Sequence, residues 1–195
     1  MSFVDGFYSF NIDLTCPDSG LYEKLRLKTP KHPDESLENL YARTIAWLHS
    51  YRPNLSFSNG YYAPSEPAIW RKDATERILN WIELGFPPEE KLRRAMRMRP
   101  PPNISIYFYE EEQVEQFCLS LRGSKSNWIE HLRFFRIEDA LISALLPLSR
   151  SSSRWAVTIL DDSMFLSVDG TELQSSIHPL DMWDRYQGSI NNLAG

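Results

Sequence analysis

The sequence predicts an α/β protein: a mixed sheet flanked by helices, with β-hairpins at the N- and C-terminal ends. Three observations carry this. Apolar and polar residues alternate up to about residue 28 and again from Trp155 to Val168, the period of half-buried strands. Between these ends, short apolar runs alternate with segments of helical spacing. No segment of the chain repeats another.

In YSFNIDL, Tyr8, Phe10, Ile12 and Leu14 alternate with Ser9, Asn11 and Asp13. In LYEKLRLK, Leu25 and Leu27 alternate with Lys24, Arg26 and Lys28. CPDSG between them is a turn, so the two runs form an antiparallel hairpin. Leu37, Leu40, Tyr41, Ile45 and Leu48 then recur at helical spacing. Pro33 fits the first turn of that helix, and Asp34 and Glu35 suit its positive end. Residues 52–70 are turn-rich, with extended pieces at 55–57 and 60–62. RILNWIELG, ISIYFY and LRFFRI are strands. The segments between them hold a helix in PPEEKLRRAMRM and a shorter one marked by Val114, Phe117, Cys118 and Leu121. EDALISALLPL is a helix, SRSSSR a polar loop, and WAVTILDDSMFLSV a hairpin turning at 161–163. From Thr171 onward the signals are weak.

A chain of 195 residues with 42% hydrophobic and 13% aromatic side chains can bury a sizeable core, which excludes global disorder and suits one domain over residues 1–195, or a core with an appended lobe. The net charge of -5 removes any global electrostatic case for nucleic acid, so such contact requires a local basic patch. Cys16 and Cys118 are far apart and show no CxxC or zinc spacing, so a reducing cytoplasm is expected. MSFVDGFYSF has no signal-peptide pattern and no run of about 18 apolar residues occurs, so no membrane span is expected. The four histidines, His32, His49, His131 and His178, lack ligand spacing, and no P-loop, dinucleotide fingerprint or Gly-x-Ser-x-Gly elbow is present.

The chemistry centres on an acid inside a strand. Glu83 lies between Ile82 and Leu84, where an unpaired carboxylate costs several kcal/mol. Glu66, Asp73 and Glu76 precede it. Two carboxylates on adjacent strands can hold Mg2+, which polarises a phosphoryl oxygen and activates water. The competing reading pairs Glu83 with an arginine such as Arg43, and leaves Asp73 and Glu76 in a solvated loop. KLRRAMRMR carries five basic residues in nine, with Lys91 and Arg94 on one helix face and Arg93 and Arg97 on another. This is either a phosphate-facing helix, with Lys91 or Arg94 reaching Glu83, or a solvated face that suits the negative helix end. The aromatics of YFY and RFFR suit a strand core, and equally base stacking.

Several segments resemble the YaeQ family. HPDESLENLYARTIAWL is similar to its His-Pro-x-Glu-(Ser/Thr), Arg and Ala-Trp-Leu pattern. LSFSNGYYAPSEPAIW resembles its Leu-x-Phe-x-x-Gly and Glu-Pro-x-x-Trp segments, and WIELGFP its Trp-Ile-Glu-(Leu/Val)-Gly-x-Pro hallmark. RFFRIEDALISAL and WAVTILDDSMFLSVDG fit the later strand, helix and hairpin, so the resemblance is colinear over nearly the whole chain. It implies a compact variant of the restriction-endonuclease-like PD-(D/E)XK fold, with the nuclease-like core at about 34–109. In that scheme Glu83 takes the place of the second acid and becomes a metal ligand. The acid-x-Lys triplet reads Glu83–Leu84–Gly85, so Lys91 or Arg94 from the following helix stands in for the strand lysine. Leu79 and Pro88 stand where the family pattern has acids.

The resemblance therefore implies a Mg2+-dependent phosphodiesterase or nuclease, or its relic. Glu66 and Glu83 would hold the metal, Lys91 would orient water or steady the phosphoryl charge, and Glu35 would complete the site. The alternative is a non-catalytic module binding nucleic acid, or a transcription-related protein, through Lys91, Arg93, Arg94 and Arg97. A third reading is a protein-interaction scaffold, which the net negative charge suits.

Overall fold

The alternating and helical patterns become mixed β-sheet with helices against it, in a computed structural model that describes residues 6–59, 63, 65–121 and 126–191. The chain divides into two units, residues 1–52 with 137–177 and residues 53–136 with 178–195.

The first unit begins with the hairpin of β1 (Gly6–Cys16) and β2 (Leu21–Lys31). A 3-10 turn at Pro17–Ser19 joins them, and Gly20 closes it at φ 64, where a side chain would be strained. After α1 (Leu37–His49) the chain leaves this unit and returns as α4 (Asp139–Leu145), β8 (Ser152–Leu160), β9 (Ser163–Val168) and the start of β10 (Thr171–Leu180). The strand order is β2-β1-β8-β9-β10, with β1 and β8 parallel and the other pairs antiparallel. Phe10, Ile12 and Leu14 face inward beside Trp155 and Val157, and α1 adds Leu40, Ile45 and Leu48. Tyr41 stacks on Trp155 with centroids 6.2 Å apart.

The second unit contains β3 (Leu55–Phe57), β4 (Ile69–Lys72), β5 (Ile78–Leu84), β6 (Asn103–Phe108) and β7 (Leu132–Ile137), in the order β7-β6-β5-β4-β3. β3, β4 and β5 form an antiparallel meander, and β5, β6 and β7 are parallel. Parallel neighbours need crossovers, supplied by α2 (Glu89–Met96) and α3 (Glu111–Ser120). Trp81, Ile104, Ile106, Phe108 and Phe134 pack with Leu92 and Ala95 of α2 and Val114 and Phe117 of α3. Met182 and Tyr186 of α5 (Met182–Asn191) join the same core.

Four local readings change. The first helix starts at Leu37, because the Ser36 hydroxyl accepts the Asn39 N–H, so Pro33, Asp34 and Glu35 precede it. β8 extends into the polar SRSSSR segment. The Ser9 N–H bonds the Ser151 carbonyl, and the Trp155 indole donates to the buried Ser153 hydroxyl. β4 is a strand that begins within the turn-rich stretch; it is four residues long, too short to display a period. The weak tail forms β10 and α5; of the β10 residues only Ser175 and Ile177 are buried, which leaves almost no apolar signal. The extended piece at 60–62 lies outside the described residues. Among the described residues no helix is long and apolar enough to cross a membrane.

Candidate functional site

β5 places Trp81 and Glu83 on one face, two residues apart, toward α2 and α3. Glu83 is 4% exposed. Its Oε1 accepts the Trp81 indole N–H at 2.8 Å. The Lys91 ammonium lies 2.9 Å from Oε1 and donates to Oε2 at 3.0 Å. Lys91 reaches it from the first turns of α2, with a side chain only 15% exposed. Burial pushes the Glu83 carboxyl above its usual range; Lys91, the Trp81 N–H and the Ala68 N–H pull the other way. The opening cost of the strand acid is thus offset by a lysine, not by Arg43.

The absent strand lysine has a local cause. Gly85 stands in its place with φ +64, ending β5 in a left-handed turn that a lysine would adopt only with strain. The Gly85 N–H donates to the Tyr107 carbonyl, and the Gln113 side chain lies 3.5 Å from where a Cβ would be. Gln113 is fixed in turn by the Tyr109 N–H and Glu110. A helix-borne lysine is therefore the one that meets the acid.

The other sequence candidates are placed as follows. Glu66 lies in the loop before β4, half-buried, and one oxygen accepts the Asn59 N–H at 3.1 Å. No bonded partner joins it to Glu83. Asp73 shapes the β4–β5 turn. It accepts from the Thr75 hydroxyl and N–H and from Arg77, which hold its carboxyl down at about 2. Glu76 pairs with Lys72 at 3.1 Å. On α2, Arg93 pairs with Glu89 and its guanidinium lies 4.7 Å from the Trp128 ring centroid. Arg94 stands 3.7 Å from Glu90, and Arg97 is exposed. Three of the four cations read as nucleic-acid contacts, Lys91, Arg93 and Arg94, are thus paired with carboxylates, Arg94 by the longest and most exposed of the three contacts.

Glu35 belongs to the first unit. It is 2% exposed and meets Arg43 in a fork, Nε to Oε1 at 3.0 Å and Nη2 to Oε2 at 2.9 Å. Arg43 also donates to the Thr29 hydroxyl and the Pro30 carbonyl. Burial raises the Glu35 carboxyl, and Arg43 opposes the shift. Arg43, suggested as a partner for Glu83, serves Glu35 instead.

The sequence reading missed Trp81 as a donor to Glu83. The signal was present: an indole two residues before an acid on one strand shares its face. Among the described residues no group of three or more His, Cys, Asp or Glu side chains is arranged to hold a metal ion.

The sequence pattern of the YaeQ protein family matches residues 1–177. The relative called "Uncharacterized protein YaeQ" from Escherichia coli (strain K12) is 24% identical over 170 residues, 87% of this chain and 92% of that one. Its counterpart from Salmonella typhi is 24% identical over 160 residues, 82% and 87% of the two chains. The crystal structure of YaeQ protein from Pseudomonas syringae matches with a TM-score of 0.76 at 24% identity, covering 90% of this chain and 95% of that one. The YaeQ protein of Xanthomonas axonopodis pv. citri gives a TM-score of 0.78 at 24% identity, covering 89% and 96%. At this identity the two structures establish a shared fold.

Proposed function

The chain belongs to the YaeQ family, and from that premise we propose that it is a non-catalytic nucleic-acid-binding module on a restriction-endonuclease-like frame. One observation carries the non-catalytic part: both oxygens of Glu83 are already held, by Lys91 and by the Trp81 indole. Mg2+ demands several oxygen ligands and binds where negative charge is unspent. Here the acid that the resemblance makes a metal ligand is neutralised by an ammonium, and Glu66 spends one oxygen on Asn59. The donor set does not fit the cation.

The β5 acid and the lysine beside it support descent from an acid–lysine site, with the lysine moved to α2 because Gly85 occupies its strand position. The pair then acts as a latch between β5 and α2. It fixes the helix whose outward residues Arg94 and Arg97 present charge to solvent. Such cations bind phosphates without reading sequence.

The test is metal-free fluorescence anisotropy with a labelled DNA duplex, paired with a plasmid-cleavage assay in Mn2+. Binding should weaken with salt, and Arg94→Gln with Arg97→Gln should each flatten the log–log slope by about 0.9. Mn2+-dependent cleavage that disappears in Glu83→Gln would overturn the reading.

A further inference from the structure

We propose that the solvent face of the first unit's sheet is a docking surface for single-stranded RNA, separate from α2 and independent of Glu83. Strand alternation turns Ser9, Asn11 and Asp13 of β1 outward, with Lys24, Arg26 and Lys28 of β2 and Arg154 and Ala156 of β8. The register sets these in rows. Arg26 lies opposite Asn11, which lies opposite Arg154; Lys28 lies opposite Ser9, which lies opposite Ser152. With strands about 4.8 Å apart, the backbones carrying Arg26 and Arg154 stand about 10 Å apart on either side of Asn11. Neither arginine meets a carboxylate through its side chain among the described residues. Beside Arg154 lies an open depression of about 470 Å³, lined by Asn11, Ser152, Ala156 and Ser167 and by the carboxylates Asp13 and Asp169.

Acids are present and already committed in part. Asp13 faces Lys24 at 3.8 Å, and one oxygen of Asp169 accepts the Arg154 backbone N–H. Glu172 sits farther out, opposite Ser167. Lys24, Arg26, Lys28 and Arg154 thus face Asp13, Asp169 and Glu172, a surplus of one positive charge on this face of a chain whose net charge is -5.

Exposed aromatic rings lie at the two ends of these rows, Phe7 next to Lys28, and Tyr22 and Phe165 four residues along the strands from the Arg26–Asn11–Arg154 row. Tyr22 is 69% exposed, Phe7 51% and Phe165 40%. Tyr22 and Phe165 share a row, through Thr15 and Thr158. The Lys28 ammonium lies 4.4 Å from the centroid of the Phe7 ring. Exposed rings beside a cationic track are what unpaired bases and their phosphates require. A duplex hides its base faces, so a single strand fits better. The Ser9, Asn11 and Ser152 floor offers donors and acceptors to a 2′-hydroxyl, which DNA lacks.

This surface goes beyond the α2 reading, and the experiment separates them. The probe is a labelled single-stranded RNA of about 12 nucleotides in metal-free buffer, beside the same sequence as DNA. Wild type should bind the RNA, with a salt slope that flattens by about 1.4 in Arg26→Gln/Arg154→Gln. Tyr22→Ala and Phe165→Ala should each weaken binding about 5- to 100-fold. Circular-dichroism melts of these surface variants should match wild type. Arg94→Gln/Arg97→Gln should leave the preference for RNA over DNA, and the losses caused by Tyr22→Ala and Phe165→Ala, as they are in wild type. Absence of RNA binding by wild type overturns the proposal, as does equal affinity for the DNA. Binding unchanged by the sheet variants but lost in the α2 variants overturns it too, while sparing the α2 reading. Retained RNA binding with no duplex binding overturns the α2 reading and spares this one.

Discussion

Among the described residues each unit buries one carboxylate, Glu35 or Glu83, and pairs it with a cation, and the two pairs are built differently. In the first unit Arg43 grips Glu35 with a fork and also donates to Thr29 and Pro30. In the second, Lys91 offers Glu83 a compact charge, and the rest of the carboxylate's bonding comes from the Trp81 indole and the Ala68 N–H. A guanidinium fixes direction as well as charge, whereas an ammonium fixes charge alone. The first pair ties the end of β2 and the loop after it to α1. The second ties a strand to its crossover helix, at the position where the family resemblance expects a metal.

If both pairs are structural, breaking either is costly. Arg43→Met leaves Glu35 buried with Thr29 and Pro30 also losing a donor, and should cost about 4–5 kcal/mol in urea unfolding. Lys91→Met leaves Glu83 with two neutral donors and should cost less, about 3 kcal/mol. A Lys91→Met loss exceeding that of Arg43→Met would reverse the ranking. The double change Glu83→Leu/Lys91→Met removes both charges and should recover most of the loss.

The acid limb separates the units further. Burial holds the His49 imidazole, on α1, down at about 4, aided by Arg52 and opposed by Asp162. The unfolded chain takes up that proton near 6.5. Stability is thus fully present above about 6.5 and lost as pH falls toward 4, by about 3 kcal/mol in all. Glu35 and Glu83, with raised carboxyls, act in the other direction: their contribution is present in acid and declines as pH rises through their folded values. His49→Gln should flatten the loss between pH 6.5 and 4; an unchanged acid slope would remove His49 as its source.

The smallest effect belongs to the indole. Trp81→Phe keeps the ring packing and drops one bond to a charged oxygen, at about 1.5–3 kcal/mol. A cost near zero would leave Lys91 alone as the partner that matters to Glu83.

These differences explain what the sequence could convey. Strand alternation in β1, β2, β8 and β9 was legible, because each has one face on the core. The acid of β5 was legible as an anomaly, since a glutamate between Ile82 and Leu84 breaks an apolar run. Its partner was harder. Lys91 was one of five cations in nine residues, and only the turn set by Gly85 brings that one back to β5. Glu35 was read as a helix-end charge because the Ser36 cap, which starts the helix two residues later, competes with Pro33 as a start signal. β10 was illegible for a physical reason: exposed strand residues leave no period to read, whereas α5 buries Met182 and Tyr186 at helical spacing, a pattern only two residues long.

The most direct test of the account is the thermal unfolding of wild type and Glu83→Gln, each with and without roughly 1 mM Mn2+. A structural pair predicts a wild-type midpoint that Mn2+ does not move. It also predicts a Glu83→Gln midpoint roughly 10 °C lower, because the change strands Lys91 in the interior. A wild-type midpoint that Mn2+ raises, with the rise abolished in a Glu83→Gln protein of undiminished metal-free stability, would contradict it and return Glu83 to the role of metal ligand.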